Sequence, residues 1–231
     1  MNAKRGYVPE DDRNFSKEAL SKMRTASGHV LYLINEGYEV KQATTFVGNH
    51  FILSERQRLA IARSVSTDEQ LSIRKTKEKE SLEGCDVWID GFNTIITMEV
   101  LLSDSILFTC MDGTIRDLAG LRGTYKIIPE TREAVKILLD VLTEMKVSGI
   151  HILLDEPVSN SGRLKTLIAE MGEQYDFDLD IQIIKDVDRE LYTKENVITS
   201  DAIILDNCKS WINLMKRVVK RHEIEPIQVW E

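Results

Sequence analysis

Apolar positions in the first third of the chain recur at helical spacing. In "FSKEALSKMRTASGHVLYLINEGY" Leu20, Met23, Ser27, Leu31 and Ile34 share one stripe, and Gly37 ends it. "EVKQATTFVGNHF" continues the period with Ala43, Phe46 and Val47, and "SERQ" at Ser54 is a capping box ahead of "RLAIARSV". Residues 66–84, "STDEQLSIRKTKEKESLEG", are highly charged and poor in large apolar side chains, the composition of a charged linker or an exposed helix. From Cys85 the period shortens. "CDVWID", "GIHILLD", "LDIQIIK" and "NVIT" are apolar runs of strand length, and "SILFTCMDGTIRDL" has the form of a hairpin around Asp112-Gly113. Between them stand amphipathic stretches: "TIITMEVLL", "PETREAVKILLDVLTEM", "SGRLKTLIAEMGEQY" and "SWINLMKRVVKRH". Strand alternating with helix predicts an α/β domain over residues 85–231, with a mostly parallel sheet flanked by helices. A small all-helical N-terminal domain over residues 1–65 precedes it, joined by the linker of residues 66–84.

Charge refines that division. Residues 1–80 carry 14 Lys+Arg against 11 Asp+Glu, whereas the rest carry 16 against 27. An acidic domain binds phosphates when its carboxylates hold cations that reverse the local charge. The N-terminal helices can form a helix-turn-helix variant whose Arg56, Arg58 and Arg63 meet phosphates, or a bundle that docks on the larger domain and offers a homodimer surface; exposed arginines favour the bundle. Cys85, Cys110 and Cys208 show no CxxC spacing and read as buried free thiols. No run approaches the roughly 18 apolar residues of a membrane span, and the N-terminus has no signal-like apolar core, so a cytoplasmic protein without membrane contact is expected.

The chemistry concentrates where strands end. In parallel sheets ligands bind outside the carboxyl ends of the strands. "VWID" ends on Asp90, "HILLD" on Asp155, and "NVITSD" places Asp201 just past its strand, with Asp206 following in "AIILDN". Each acid alone has a capping or turn role open to it. Three or four together repel unless cations sit between them, which points to Mg2+ or Mn2+ held by oxygen ligands and to phosphodiester hydrolysis with water as nucleophile. Asn93 can orient Asp90 or cap the helix. Ser159, Asn160 and Ser161 in "VSNSGRLK" stand at a helix N-terminus, either as an anion site or as a cap and turn. Arg116, Arg122 and Lys126 in "RDLAGLRGTYK" are candidates for a phosphate backbone or for pairing with Asp112 and Asp117. "CMDGTIRD" approximates the D-x-D-G-T signature of haloacid-dehalogenase-like phosphatases, but Cys110 replaces the nucleophilic Asp, so aspartyl-phosphate chemistry is excluded.

Taken together, "VWIDGFNTIITMEVLL", "DGTIRDLAGLRGTYK", "LLDEPVSNSGRLK", "VITSDAIILD" and "INEGYEVKQATTFVGNHFILSERQRLAI" resemble the domain-of-unknown-function 434 family over nearly the whole chain. More distantly, "IDGFN" with "VITSD" resembles the NYN branch of the PIN-like nucleases. That likeness implies a PIN-like parallel sheet, a divalent-metal site, and hydrolase action as an endonuclease mainly on RNA, with DNA a possible substrate. Asp90, Asp201 and Asn93 match its motif positions, Asp155 and Asp206 stand for the remaining acids, and Glu99 for an acid on the helix after the first strand. The hairpin has no place in such a core. The resulting expectation is a magnesium- or manganese-dependent endoribonuclease with Asp90, Asn93, Asp155 and Asp201 catalytic and Asp90, Asp155, Asp201 and Asp206 metal-binding. The alternative is a non-catalytic nucleic-acid-binding or scaffold protein that keeps the fold.

Overall fold

The computed structural model describes residues 4–120 and 123–230. Among the described residues the two periodicities resolve into eleven helices, a four-stranded sheet and a two-stranded one. The N-terminal helices are α1 (Asp11–Asn14), α2 (Lys17–Asn35), α3 (Val40–His50), α4 (Glu55–Ser64) and α5 (Asp68–Lys77). The capping box predicted at Ser54 is present: Ser54 Oγ accepts from the Gln57 amide, and Gln57 Oε1 accepts from the Ser54 amide. Arg56 pairs with Asp11 and Arg58 donates to Leu53 O and Asn49 Oδ1, so these two fasten the bundle, whereas Arg63 pairs with Asp117 of the larger domain and borders a cleft.

The segment expected as a linker is in fact largely helical. A second capping box, Thr67 with Gln70, starts α5, and Arg74 on it is almost fully buried against the larger domain. The polar composition reflects one buried arginine anchor rather than an apolar stripe.

The strands are β1 (Val87–Asp90), β2 (Leu107–Thr109), β3 (Ile115–Asp117), β4 (Gly149–Asp155), β5 (Asp178–Ile184) and β6 (Val197–Ile198). The main sheet has the order β5-β4-β1-β6 and is parallel throughout. One face packs Val87, Ile89, Ile150, Ile152 and Leu154 against α6 (Gly91–Leu102), α7 (Pro129–Glu144), α8 (Ser161–Gly172) and α11 (Leu214–Arg221). On the other face Leu153 and Trp88 meet α9 (Val187–Tyr192), α10 (Ala202–Asn207) and Trp211. Each large apolar side chain removed from water there contributes roughly 1.5–3 kcal/mol.

β2 and β3 form the expected antiparallel hairpin, but it stands apart from the main sheet. Its Phe108, with Leu118 and Val229, completes the core of Phe15, Met23, Val30 and Ile61 under the N-terminal helices. Two three-residue strands cannot bury an apolar face alone. Packing therefore crosses the boundary that composition suggested at residue 85.

Candidate functional site

The chain leaves β1, builds β4 and β5 on one side of it, and returns to lay β6 on the other. That reversal opens a crevice at the carboxyl ends of β1 and β6, where parallel sheets bind ligands. β1 passes into α6 with no loop, so Asp90 is both the last strand residue and the N-cap of the helix, its Oδ1 accepting from the Asn93 amide at 3.3 Å. Gly91 permits this junction. A Cβ there would lie 2.6 Å from Leu154 Cδ2 and 2.8 Å from Leu153 O, so α6 starts in direct contact with β4.

Glu39, Asp117 and Asp206 line a cleft of about 790 Å³, the latter two paired with Arg63 and Arg74, and four more carboxylates gather in it at or just beyond the strand ends: Asp90, Asp155 at the end of β4, Asp188 on α9, and Asp201 just before α10. Three of them are where the strand ends placed them. Asp188 was missed. It follows β5 in "IIKDVDREL", where a D-x-D immediately beyond a strand was the available signal.

Hydrogen bonds fix the crevice from both sides. Thr199 Oγ1 donates to Asp90 Oδ2 at 3.0 Å, and Asn93 Oδ1 accepts from the Ser200 amide at 2.8 Å and from Ser200 Oγ at 3.0 Å. Asn93 thus ties the first turn of α6 to the loop after β6. Asp201 uses Oδ1 to cap α10, accepting from the Ile203 amide at 2.8 Å and the Ile204 amide at 3.3 Å.

Burial dominates the protonation of Asp90, Asp155 and Asp188. It pushes Asp90 up to about 7, against the pull of the Asn93 amide and the Thr199 hydroxyl, with the charges of Asp201 and Asp155 adding to the rise. Asp155 is raised by burial and by Asp186, and Asp188 by burial and by Asp201, Asp155 and Asp186. None of the four has an ion-pair partner among the described residues.

Asp206 also borders the cleft, but its carboxylate is turned away from this cluster: it receives Arg74 Nε at 2.7 Å and Arg74 Nη2 at 3.0 Å, with Gln70 Nε2 at 3.1 Å. Five positions separate it from Asp201, about 140° around a helix axis. Arg74 also reaches Asp112, whose second arginine partner is Arg116. The Arg116 guanidinium, buried, donates to Ser200 O at 2.6 Å, Arg63 O and Asp112 Oδ2. It supports the loop that Asn93 holds and is turned to protein, not to a phosphate backbone.

The other candidate anion ligands are likewise engaged internally or apart from the cleft. Ser159 Oγ accepts from the Tyr125 amide, Asn160 Nδ2 donates to Tyr125 O, and Ser161 Oγ donates to Asp155 O, so this turn positions the end of β4. Lys126 is exposed and outside the cleft lining, and Arg122 lies outside the described residues. Glu99 sits deep behind α6, bonded to Arg5, Tyr125 and Thr131, and does not line the cleft. Cys110 and Cys208 are buried free thiols as expected, whereas Cys85 is only half-buried.

The donor set is all oxygen, the chemistry that Mg2+ and Mn2+ select. Among the described residues, no three acidic, histidine or cysteine side chains are grouped closely enough to hold one metal ion between them. Mg2+ is commonly held by one or two carboxylates with water and substrate oxygens completing its shell, so the residues fit such an ion without a closed protein cage. Much of the remaining lining comes from the N-terminal helices, where the α2–α3 turn contributes Tyr38, Glu39 and Val40. No described helix is long and apolar enough to cross a membrane.

Comparison with known proteins follows the same seam between α5 and β1. Residues 79–217 match the family model described as "Domain of unknown function (DUF5616)", and residues 22–77 match the one described as "Protein of unknown function (DUF434)". The 434 likeness is thus confined to the N-terminal helices, and the acid-bearing motifs fall under a different model. The chain is 34% identical over 193 residues to "Uncharacterized protein MJ0935" of Methanocaldococcus jannaschii, an alignment covering 82% of this chain and 92% of that protein. No solved structure matches at a significant level.

Proposed function

Because the chain belongs to the DUF5616 family, a description that carries no chemistry, we propose on the site alone that it is a divalent-metal-dependent endonuclease of PIN-like architecture acting on RNA in the cytoplasm. The observation that carries this reading is the delivery of four carboxylates, without ion-pair partners among the described residues, to one switch-point cleft. Asp90, Asp155, Asp188 and Asp201 would hold Mg2+ or Mn2+. A bound divalent ion supplies acidity to water and neutralises charge on phosphoryl oxygens. Asn93 and Thr199 set the orientation of Asp90, Arg116 holds the Ser200 loop against Asn93, and Ser161 fixes the backbone from which Asp155 projects.

A short labelled RNA incubated with Mn2+ or Mg2+ tests this. Internal cleavage abolished by chelator, and reduced at least a hundredfold in Asp90→Asn, is expected. Equal cleavage by that variant, or none by the wild type on RNA or DNA, would sink the proposal. In calorimetry, Mn2+ affinity should rise between pH 6 and 8, since the ion competes with the proton on Asp90.

A second reading, a nucleic-acid-binding scaffold without catalysis, is favoured by the spacing of the acids, no three of which are grouped for one ion. It predicts RNA binding with no cleavage under any divalent ion.

A further inference from the structure

The cleft lining has two unlike parts. Besides the carboxylates the lining includes the α2–α3 turn, where hydrogen bonds fix the backbone of the aromatic residue. Gly37, at φ +90°, closes α2 with a Schellman arrangement in which the Gly37 amide donates to Ile34 O at 3.0 Å and the Tyr38 amide to Leu33 O at 3.1 Å. Such a cap ordinarily folds the residue after the glycine back onto its own helix. Tyr38 instead remains 57% exposed while lining the cleft, with Val40 beside it and exposed Ile203 also on the lining. A flat ring on a fixed backbone, in the same cleft as a set of acids, suits a ligand with a flat apolar body and an anionic backbone that arrives with its cations.

We propose that the cleft takes a single-stranded nucleic acid and that Tyr38, contributed by the N-terminal helices, is the platform on which one base stacks. This rests on the hydrolase reading for the anionic half of the ligand. A cleft of about 790 Å³ has the scale of a small-ligand pocket, with room for a nucleotide or two. Stacking on an aromatic ring requires an unpaired base and tolerates any sequence. The N-terminal helices then do more than dock: they supply half of the binding surface.

The test uses the full chain with Mn2+ and a short single-stranded phosphorothioate RNA containing 2-aminopurine, read by anisotropy and by fluorescence quenching, alongside cleavage of ordinary RNA. Wild type should bind and quench. Tyr38→Ala should bind about tenfold more weakly or worse and lose the quenching, whereas Tyr38→Phe should retain both. Tyr32→Ala, an exposed tyrosine on α2 outside the cleft lining, should behave as wild type. Cleavage with unchanged binding and quenching in Tyr38→Ala overturns the inference and leaves the hydrolase reading intact. So does cleavage of a duplex by a wild type that ignores the single strand. Neither binding nor cleavage by the wild type overturns both.

Discussion

Asp90 and Asp112 are both buried aspartates on residues that border a turn, and they titrate in opposite directions. Burial raises both. At Asp112 the effect is outweighed by Arg116, the Thr114 hydroxyl and Arg74, and its carboxyl lies below the usual carboxylate range. Asp90 has only an amide and a hydroxyl against burial and two like charges, and stands near 7. The fold thus has arginines to give and directs Arg74 and Arg116 to Asp112, while Asp90, Asp155, Asp188 and Asp201 in the neighbouring cleft have no ion pair among the described residues. A buried acid that is matched holds structure together, and one that is left unmatched is available to a ligand.

The sharpest way to break this contrast is Asp112→Ala. It leaves the buried Arg116 guanidinium without an ion pair and Arg74 with Asp206 alone, and destabilisation of about 3–5 kcal/mol in urea titrations is expected. Because the folded pKa of Asp112 is lowered, its contribution is present above the unfolded value near 4 and fades as pH falls through the folded one. Asp112→Asn should therefore flatten the acid limb of the stability profile; an unchanged limb would assign that loss to other carboxylates.

Asp90 has the reverse sign. Its folded pKa is raised, so the folded state keeps a proton that the unfolded chain has released, and stability declines as pH rises from about 4 to about 7. Asp90→Asn should stabilise the metal-free protein by on the order of 2–4 kcal/mol at pH 8 and by nothing at pH 4. Melting curves at the two pH values decide it, and equal stability at both would mean that Asp90 is not strained by its burial. The smallest effect belongs to Asp201→Asn, which keeps the α10 cap but removes one like charge; the Asp90 carboxyl followed by NMR should then titrate lower than in wild type.

Much of this architecture was legible because strands and long helices announce themselves through apolar period. β1, β4, β5, β6 and the hairpin fall on the runs that predicted them, and of the cleft acids Asp90, Asp155 and Asp201 follow from asking what ends each strand. Short elements did not announce themselves. α9 has six residues, less than two turns, so its period is invisible and Asp188 went with it. Asp206 looked like a fourth member of the rim because sequence distance does not say which way a side chain faces after a helix starts. The destination of Arg74 and Arg116 was also hidden, since a buried arginine and a solvated one are the same letter until the partner from another element is known.

One edge of the main sheet is finished by residues far from it in sequence. The Lys79 amide donates to Trp211 O at 2.8 Å, the Trp211 amide donates to Lys77 O at 3.1 Å, and Trp211 in turn bridges Val197 on β6. The stretch that separates the two family models is therefore a rung of hydrogen bonding beside β6, and cutting the gene there would uncover an open β edge that invites neighbouring molecules to pair. The segment between the two matched regions is thus tied by backbone hydrogen bonds to the far end of the chain.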